Sequence, residues 1–355
     1  MGNDELIKGR GSQLNTSNRF MKYEVVQEYM EGLDEPLLNE IRTQVFFDHP
    51  KQIVNQVKSP DVGMAFSANP YQGCEHGCIY CYARNSHEYW GFSAGLDFES
   101  KLIAKLNAPE LLRKTFDSKK WKPAVLSLSG NTDCYQPIER KYELTRQMLE
   151  ICLAYKNPVG IITKNQLVLR DLDILKEMAK HHLVQVFITI TSTQENIRQK
   201  LEPRTATYKN RFKVIETLTA NGIPCGVMVA PIIPGLTNYH IADVIKQAAQ
   251  HGAYTAGFTI LRLNGRLSDI FTDWVHKAYP DAASKIINQA KDCHGGNLND
   301  SRWSTRMKGE GKIAEGIRML FTAARKKHMS GVPFYDYNLN DFAPPRIPKA
   351  QLSLL

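Results

Sequence analysis

The chain reads as an α/β protein built on a partial, TIM-like (β/α)6 barrel, with an irregular amino-terminal arm and a mainly helical carboxyl-terminal extension. Three observations predict this. Short apolar runs rich in β-branched residues alternate with helix-period segments from about residue 64 to residue 261. Each run is followed by a helix rather than a tight turn, which is the pattern of parallel strands joined by right-handed crossovers. With 355 residues, 43% of them hydrophobic, the chain can bury one large core and still carry extensions.

The elements follow in order. Residues 1–62 form the arm, polar and irregular. Gly9-Arg10-Gly11 and the stretch 15–18 read as loose, and residues 24–29 and 43–47 as short strands. Ser59-Pro60-Asp61 punctuates the passage into the core. The core, residues 63–262, opens with a strand over 64–69, a cysteine-rich loop and a helix. Further strands are expected over 124–129, 159–163, 184–191, 223–230 and 255–261. Helices are expected over 138–155, 167–181, from the fourth strand to residue 220, and over 239–251. Asn221-Gly222 suits a left-handed helix cap. Residues 263–355 form the extension, with helices over 269–279, 282–291 and 313–327. Between the last two lies a Gly-rich basic loop, 294–311, and a Pro-rich tail follows. In barrels of this design function sits at the carboxyl ends of the strands.

Composition narrows the function. A net charge of +9 permits an anionic partner such as nucleic acid. No Lys/Arg run with interleaved aromatics demands one, so a basic solvated surface is the competing reading. No apolar stretch reaches the roughly 18 residues of a membrane span. The opening residues lack the apolar region of a secretory signal, and the expected compartment is the cytoplasm. The seven cysteines are odd in number and unevenly spaced, a poor disulfide framework. Cys152 and Cys225 fall in apolar patterns and read as core. Cys293 stands alone beside His294.

Cys74, Cys78 and Cys81 are different. Their C-x3-C-x2-C spacing puts three soft thiolate ligands on one short loop. An ordinary [4Fe–4S] cluster takes four cysteines; three leave one iron open to an external ligand. Gly73 and Gly77 let the loop wrap tightly with N–H groups turned inward. A structural zinc site needs a fourth ligand, and His76 is awkwardly close to its neighbours for that duty.

C-x3-C-x-aromatic-C, with Tyr80 before the last cysteine, at the start of an α/β barrel resembles the radical S-adenosylmethionine superfamily. NPYQGCEHGCIYCYAR, GLDFESK, TDCYQPIER, TKNQLVLRD, LEPRTA and APIIPGLTN resemble the branch that includes spore photoproduct lyase and bacterial proteins labelled DNA-repair photolyase. The segment GGNLNDSRWSTRMKGEG resembles an uncharacterised bacterial subfamily of that branch. The resemblance implies a reduced cluster whose open iron chelates the methionine amino and carboxylate groups of S-adenosylmethionine. It also implies a 5′-deoxyadenosyl radical that abstracts a hydrogen atom, and an electron donor such as flavodoxin or ferredoxin.

The same resemblance marks strand-end residues as cofactor contacts. Asn131, Thr132 and Asp133 stand where the superfamily binds the methionine amino group. Asp133 is a sensible acceptor for an ammonium and equally a helix cap. Cys134 is a candidate hydrogen donor or a small loop residue, and Tyr135 a redox or packing residue. Lys164, Thr189 and Thr191 end the third and fourth strands, where ribose or carboxylate contacts belong; β-propensity is the plainer reading of each threonine. Arg204 suits the methionine carboxylate or a surface ion pair. Ile233 aligns with the position whose backbone contacts adenine. Arg262, Arg266, Arg302, Arg306 and Lys308 are candidates for phosphate groups or for a flexible basic connection. The function expected is hydrogen abstraction on a nucleic acid or nucleotide. The rivals are the same cofactor acting on a protein side chain or small metabolite, and an Fe–S or zinc nucleic-acid-binding module without catalysis.

Overall fold

The structure, a computed structural model, describes residues 6–20, 43–332 and 335–345. The expected strand over 24–29 lies outside them. The strands are β1 (Gln44–Asp48), β2 (Val54–Gln56), β3 (Phe66–Ala68), β4 (Tyr71–Gln72), β5 (Lys101–Lys105), β6 (Leu126–Leu128), β7 (Val159–Thr163), β8 (Val184–Thr189), β9 (Cys225–Ile232) and β10 (Ala256–Ile260). The helices are α1 (Asp97–Ser100), α2 (Ala108–Asp117), α3 (Glu139–Tyr142), α4 (Leu144–Ala154), α5 (Leu172–Lys180), α6 (Glu195–Leu201), α7 (Tyr208–Ala220), α8 (Ile241–Gln250), α9 (Leu267–Ala278), α10 (Ala283–Asp292) and α11 (Gly311–Met329).

Seven strands form one sheet in the order β10-β9-β8-β7-β6-β3-β2. The six from β3 to β10 run parallel in chain order, and β2 adds antiparallel to β3. This is the expected partial (β/α)6 barrel, its sheet ending at β10 on one side and β2 on the other. The strands read as near-continuous apolar runs because helices cover their outer face. Ile161, Val186, Ile188 and Val227 pack there with Met148, Leu175, Ile215 and Ile245 of the surrounding helices. Each such residue, fully buried, contributes roughly 1.5–3 kcal/mol.

Three expected helices are interrupted, each for a polar reason. The one over 138–155 breaks at Glu143, which takes a left-handed conformation (φ 51°). Glu139, at the start of α3, then accepts hydrogen bonds from the Thr145 and Arg146 N–H groups in the first turn of α4. The segment 167–181 begins as a tight 3-10 turn capped by Asn165 before α5. The long helix expected up to residue 220 divides into α6 and α7 because Glu202 turns inward; Thr207 caps α7 through its hydroxyl.

A second sheet, β1-β5-β4, was not fully expected; only its β1 strand was anticipated, over 43–47. It matters for position. β4 runs straight into the cysteine loop, and the Cys74 N–H donates to the Phe98 carbonyl of α1, just ahead of β5 (2.8 Å). The segment 15–18, expected to be loose, is instead bonded in place, as are residues 10–12.

Candidate cluster and cofactor site

The cysteine loop folds over the carboxyl end of the barrel. Gly73 and Gly77 both adopt positive φ, where side chains are strained. Cys74, Cys78 and Cys81 open onto one cavity of about 440 Å³. Burial pushes all three thiols above the ordinary range, Cys78 to about 12, and the neighbouring thiols raise Cys74 further. Lys164 opposes the rise at Cys78. Metal capture must therefore release protons.

The donors fit an iron–sulfur cluster. Among the described residues no three His, Cys, Asp or Glu side chains converge on a single-ion site. A cubane asks for something else, one thiolate per iron around its corners. Three thiols on one cavity wall supply that.

The loop is braced from both sides. On one side Tyr80 donates to the buried Glu202, which also binds Arg211 (2.5 Å) and Thr191 (3.3 Å). Arg211 donates in turn to the Thr189 carbonyl (2.9 Å). Burial would raise the Glu202 carboxyl, but Arg211 and Lys164 hold it below the usual range. On the other side Arg84 donates twice to the Cys78 carbonyl (3.1 and 2.9 Å) and pairs with the buried Glu99 (2.5 Å). Neither Glu99 nor Glu202 was anticipated, although both lie within the motifs GLDFESK and LEPRTA. Only folding reveals that their charges point inward.

The strand ends supply the rest of the wall. Asn131, Asp133, Lys164, Thr189 and Tyr80 line the cavity with the cysteines. Asp133 is fully engaged. One oxygen accepts from Thr163 Oγ1 (2.8 Å) and the Tyr135 N–H (2.9 Å); the other accepts from the Lys164 N–H (2.9 Å) and faces His76 Nδ1 at 3.3 Å. Burial would raise this carboxyl, but His76 and Lys164 bring it down to about 2. The bond to the Tyr135 N–H closes a turn and does not cap a helix, because α3 starts only at Glu139, behind Ile138 and without a side-chain cap. The Lys164 ammonium lies 5.8 Å from the Tyr80 ring centroid and, among the described residues, makes no hydrogen bond. Burial would depress it, but Cys78, Glu202 and Asp133 raise it above the ordinary value.

Other predicted residues sit elsewhere. Cys134 and Tyr135 lie behind the wall in the apolar core, 1% and 0% exposed, because the turn that seats Asp133 points them outward from the barrel axis; the Tyr135 hydroxyl bonds Asp171. Thr132 donates to the Tyr71 carbonyl, and Thr191 belongs to the Glu202 network. Arg204 pairs with Glu75 at 3.5 Å, away from the cavity. Ile233 is packed against α9 and α10 residues; since β9 continues to Ile232, Ala230 and Pro231 line the cavity in its stead.

Between β10 and β2 the rim comes from outside the barrel. Val57, Ser59, Val62, Arg262, Arg306 and Met307 line it, and Met64, Met228 and Met307 make the interior apolar. The Ile260 N–H donates to the Met307 carbonyl (2.9 Å), fastening the basic loop to β10. Arg306 bonds Asp61 and Ser59 (2.6 Å each), and Arg302 bonds Asp300 and Glu310. Arg262 has one long bond, 3.4 Å, to the Asp300 carbonyl. These rim residues carry no periodic sequence signal that ties them to the barrel.

An open parallel barrel whose carboxyl end carries a three-cysteine loop, a cavity beneath it and an ammonium facing that loop defines a cluster-dependent cofactor protein. The comparisons with known proteins agree. The model of the radical SAM superfamily matches residues 68–248, and the chain belongs to that superfamily, whose members use a [4Fe–4S] cluster and S-adenosylmethionine. An uncharacterised protein of Mycobacterium tuberculosis is 34% identical over 224 residues, 62% of this chain and 65% of that protein's own length. One from Methanocaldococcus jannaschii is 29% identical over 239 residues, 67% of this chain and 85% of the other. Among solved structures, a spore photoproduct lyase variant superposes with TM-score 0.56 at 12% identity, covering 87% of this chain and 88% of that one. Spore photoproduct lyase complexed with dinucleoside spore photoproduct gives 0.54 at 12% identity, covering 83% and 82%. At such identity the likeness concerns the fold. Among the described residues no helix is long and apolar enough to cross a membrane.

Proposed function

We propose that the chain cleaves S-adenosylmethionine reductively at a cluster held by Cys74, Cys78 and Cys81, and uses the product radical to take a hydrogen atom from a nucleic-acid or nucleotide substrate. The observation that carries the reading is three thiols on one cavity wall, two buried and one half-buried, beside an ammonium with no hydrogen bond among the described residues. When bound, the cluster and S-adenosylmethionine supply a carbon-centred radical; the protein supplies placement and exclusion of water. Lys164 offers a charge-assisted hydrogen bond to a carboxylate. Asp133 fixes the Lys164 backbone, and Glu202 fixes Tyr80 between two of the ligands. The apolar side chains of Met64, Met228 and Ile162 would exclude water and shape the cavity around a radical that is otherwise lost by taking a hydrogen atom from the wrong donor. A cytoplasmic reductant such as flavodoxin or ferredoxin would deliver the electron.

The test is anaerobic. Reconstituted protein reduced with dithionite is expected to release 5′-deoxyadenosine, and deuterated single-stranded oligonucleotide is expected to pass deuterium into it. Absence of 5′-deoxyadenosine would return the chain to a non-catalytic Fe–S or zinc binding module. One observation favours a second substrate class. Arg302 and Arg306 are tied to Asp300, Glu310 and Asp61, which leaves fewer cations for phosphates than their number implies. Deuterium transfer from a protein side chain or small metabolite, with none from nucleic acid, would decide for that class.

A further inference from the structure

Residues 10–19 form an irregular strap along the cysteine loop. None of them lines the cavity, so the strap covers the loop from the side away from it. We propose that this strap is a clamp: it holds the cysteine loop in its ligand-presenting shape and closes its outer side to water and oxygen, and so sets how long the cluster survives. The inference rests on the cluster assignment above and adds a positioning element outside the barrel.

The closest approach is backbone to backbone. A Cβ on Gly11 would lie 1.7 Å from the Gly77 carbonyl oxygen and 3.2 Å from the Ile79 nitrogen, so only hydrogen fits there. Gly77 lies between Cys74 and Cys78, and its own conformation has positive φ. The strap therefore touches the loop at its tightest turn. A second close approach follows, where a Cβ on Gly95 would lie 2.0 Å from the Leu14 carbonyl oxygen.

Glu99 joins the two segments. Its carboxylate accepts from the Gly11 N–H (3.1 Å) and the Ser12 N–H (2.7 Å) of the strap. It also accepts from Arg84 (2.5 Å), whose guanidinium holds the Cys78 carbonyl. One buried carboxylate thus links strap, arginine and ligand loop in series. Leu14 packs against the apolar group that contains Cys78, Ile79 and Tyr80. Further along, Asn15 exchanges hydrogen bonds with Asp97, and Arg19 pairs with Glu88 at 3.0 Å. The loop itself has little regular structure between β4 and Cys81, so its shape must come from such outside contacts.

The test uses the full chain. Gly11→Ala forces the strap off Gly77; Leu14→Ala removes apolar contact without a clash. Gly316→Ala, on α11 with open space around its Cβ, is the control. In the cluster-free protein, backbone amides of residues 74–84 are expected to exchange hydrogen at least about tenfold faster in Gly11→Ala, and less so in Leu14→Ala, while those of β7 to β9 stay unchanged. After reconstitution, the cluster absorbance of both strap variants is expected to decay several-fold faster in air at an unchanged melting temperature. Should Gly11→Ala fail to fold, Leu14→Ala carries the same expectation at smaller size. Wild-type exchange over 74–84 with wild-type cluster lifetime overturns the clamp. Faster exchange with an unchanged lifetime overturns it too, since the strap would then be structural alone. A wild-type chain that takes up no cluster, while its strap variants still exchange faster, fails the cluster assignment instead.

Discussion

The wall that carries the three cysteines and the rim around Val57, Ser59, Arg262 and Arg306 border the same cavity but differ in how their charges are met. On the cysteine wall every buried carboxylate is answered: Glu99 by Arg84 and two strap N–H groups, Glu202 by Arg211 and Tyr80, Asp133 by Thr163, the Tyr135 and Lys164 N–H groups and His76. On the rim Arg306 is met by Asp61, but Arg262, among the described residues, makes one long bond, and burial together with nearby Arg306 lowers its pKa. The contrast follows from what each side must hold. A fixed inorganic group needs ligands whose positions are over-determined, since a small displacement of a ligand loses the site. A substrate that comes and goes needs donors still open when it arrives.

The comparison can be broken most decisively at a ligand. Cys78→Ala is expected to abolish both cluster uptake and S-adenosylmethionine cleavage, measured by iron and sulfide content and by 5′-deoxyadenosine release. Retention of either would mean that the wall does not hold the cluster as described. Next comes Lys164, the one open donor on the saturated wall. Lys164→Gln removes a charge-assisted hydrogen bond worth about 1.5–3 kcal/mol, so KM for S-adenosylmethionine should rise about 10- to 100-fold with kcat less affected. An unchanged KM would assign the ammonium to the substrate or to the loop alone.

Asp133 offers a smaller effect with a definite sign. Its carboxyl is held near 2, below its usual 3.8. A depressed carboxyl stabilises the fold above about pH 4 and loses that contribution as pH falls toward 2, amounting to about 2 kcal/mol. Urea unfolding should therefore show wild type ahead of Asp133→Asn by about that margin at pH 6, with the gap narrowing below pH 4. A gap independent of pH would deny the carboxylate its structural role. The smallest effect belongs to the rim. If Arg262 meets a phosphate, Arg262→Gln should lower the salt slope of single-stranded oligonucleotide binding by about 0.7. An unaltered slope would move phosphate contacts elsewhere.

Much of the fold was legible because periodicity reports burial. The six parallel strands stand where apolar runs put them, and β7 matches residue for residue. Two helices broke beside a glutamate that turns inward, at Glu143 next to buried Glu139 and at Glu202 itself, since sequence period cannot tell a solvated glutamate from a buried one. The cysteine spacing disclosed the cluster loop because three ligands must lie close in sequence to share one turn. Other residues depended on long-range packing. Cys134 follows Asp133 by one position, yet the turn carries it into the core. Gly11 meets Gly77 across 66 positions of chain, and Arg306 reaches Asp61 across 245. Nothing local in Gly9-Arg10-Gly11 separates a strap from a loose arm, because the glycine that permits flexibility is the glycine that permits close approach.

The central claim is that three cysteines leave one iron open to S-adenosylmethionine. Electron paramagnetic resonance of the reduced, reconstituted protein tests it most directly. The structure predicts the signal of a single [4Fe–4S] cluster per chain whose g-values shift when S-adenosylmethionine is added, with the signal itself absent in Cys78→Ala. A cluster signal indifferent to S-adenosylmethionine would contradict it, because it would mean that the fourth iron is already closed.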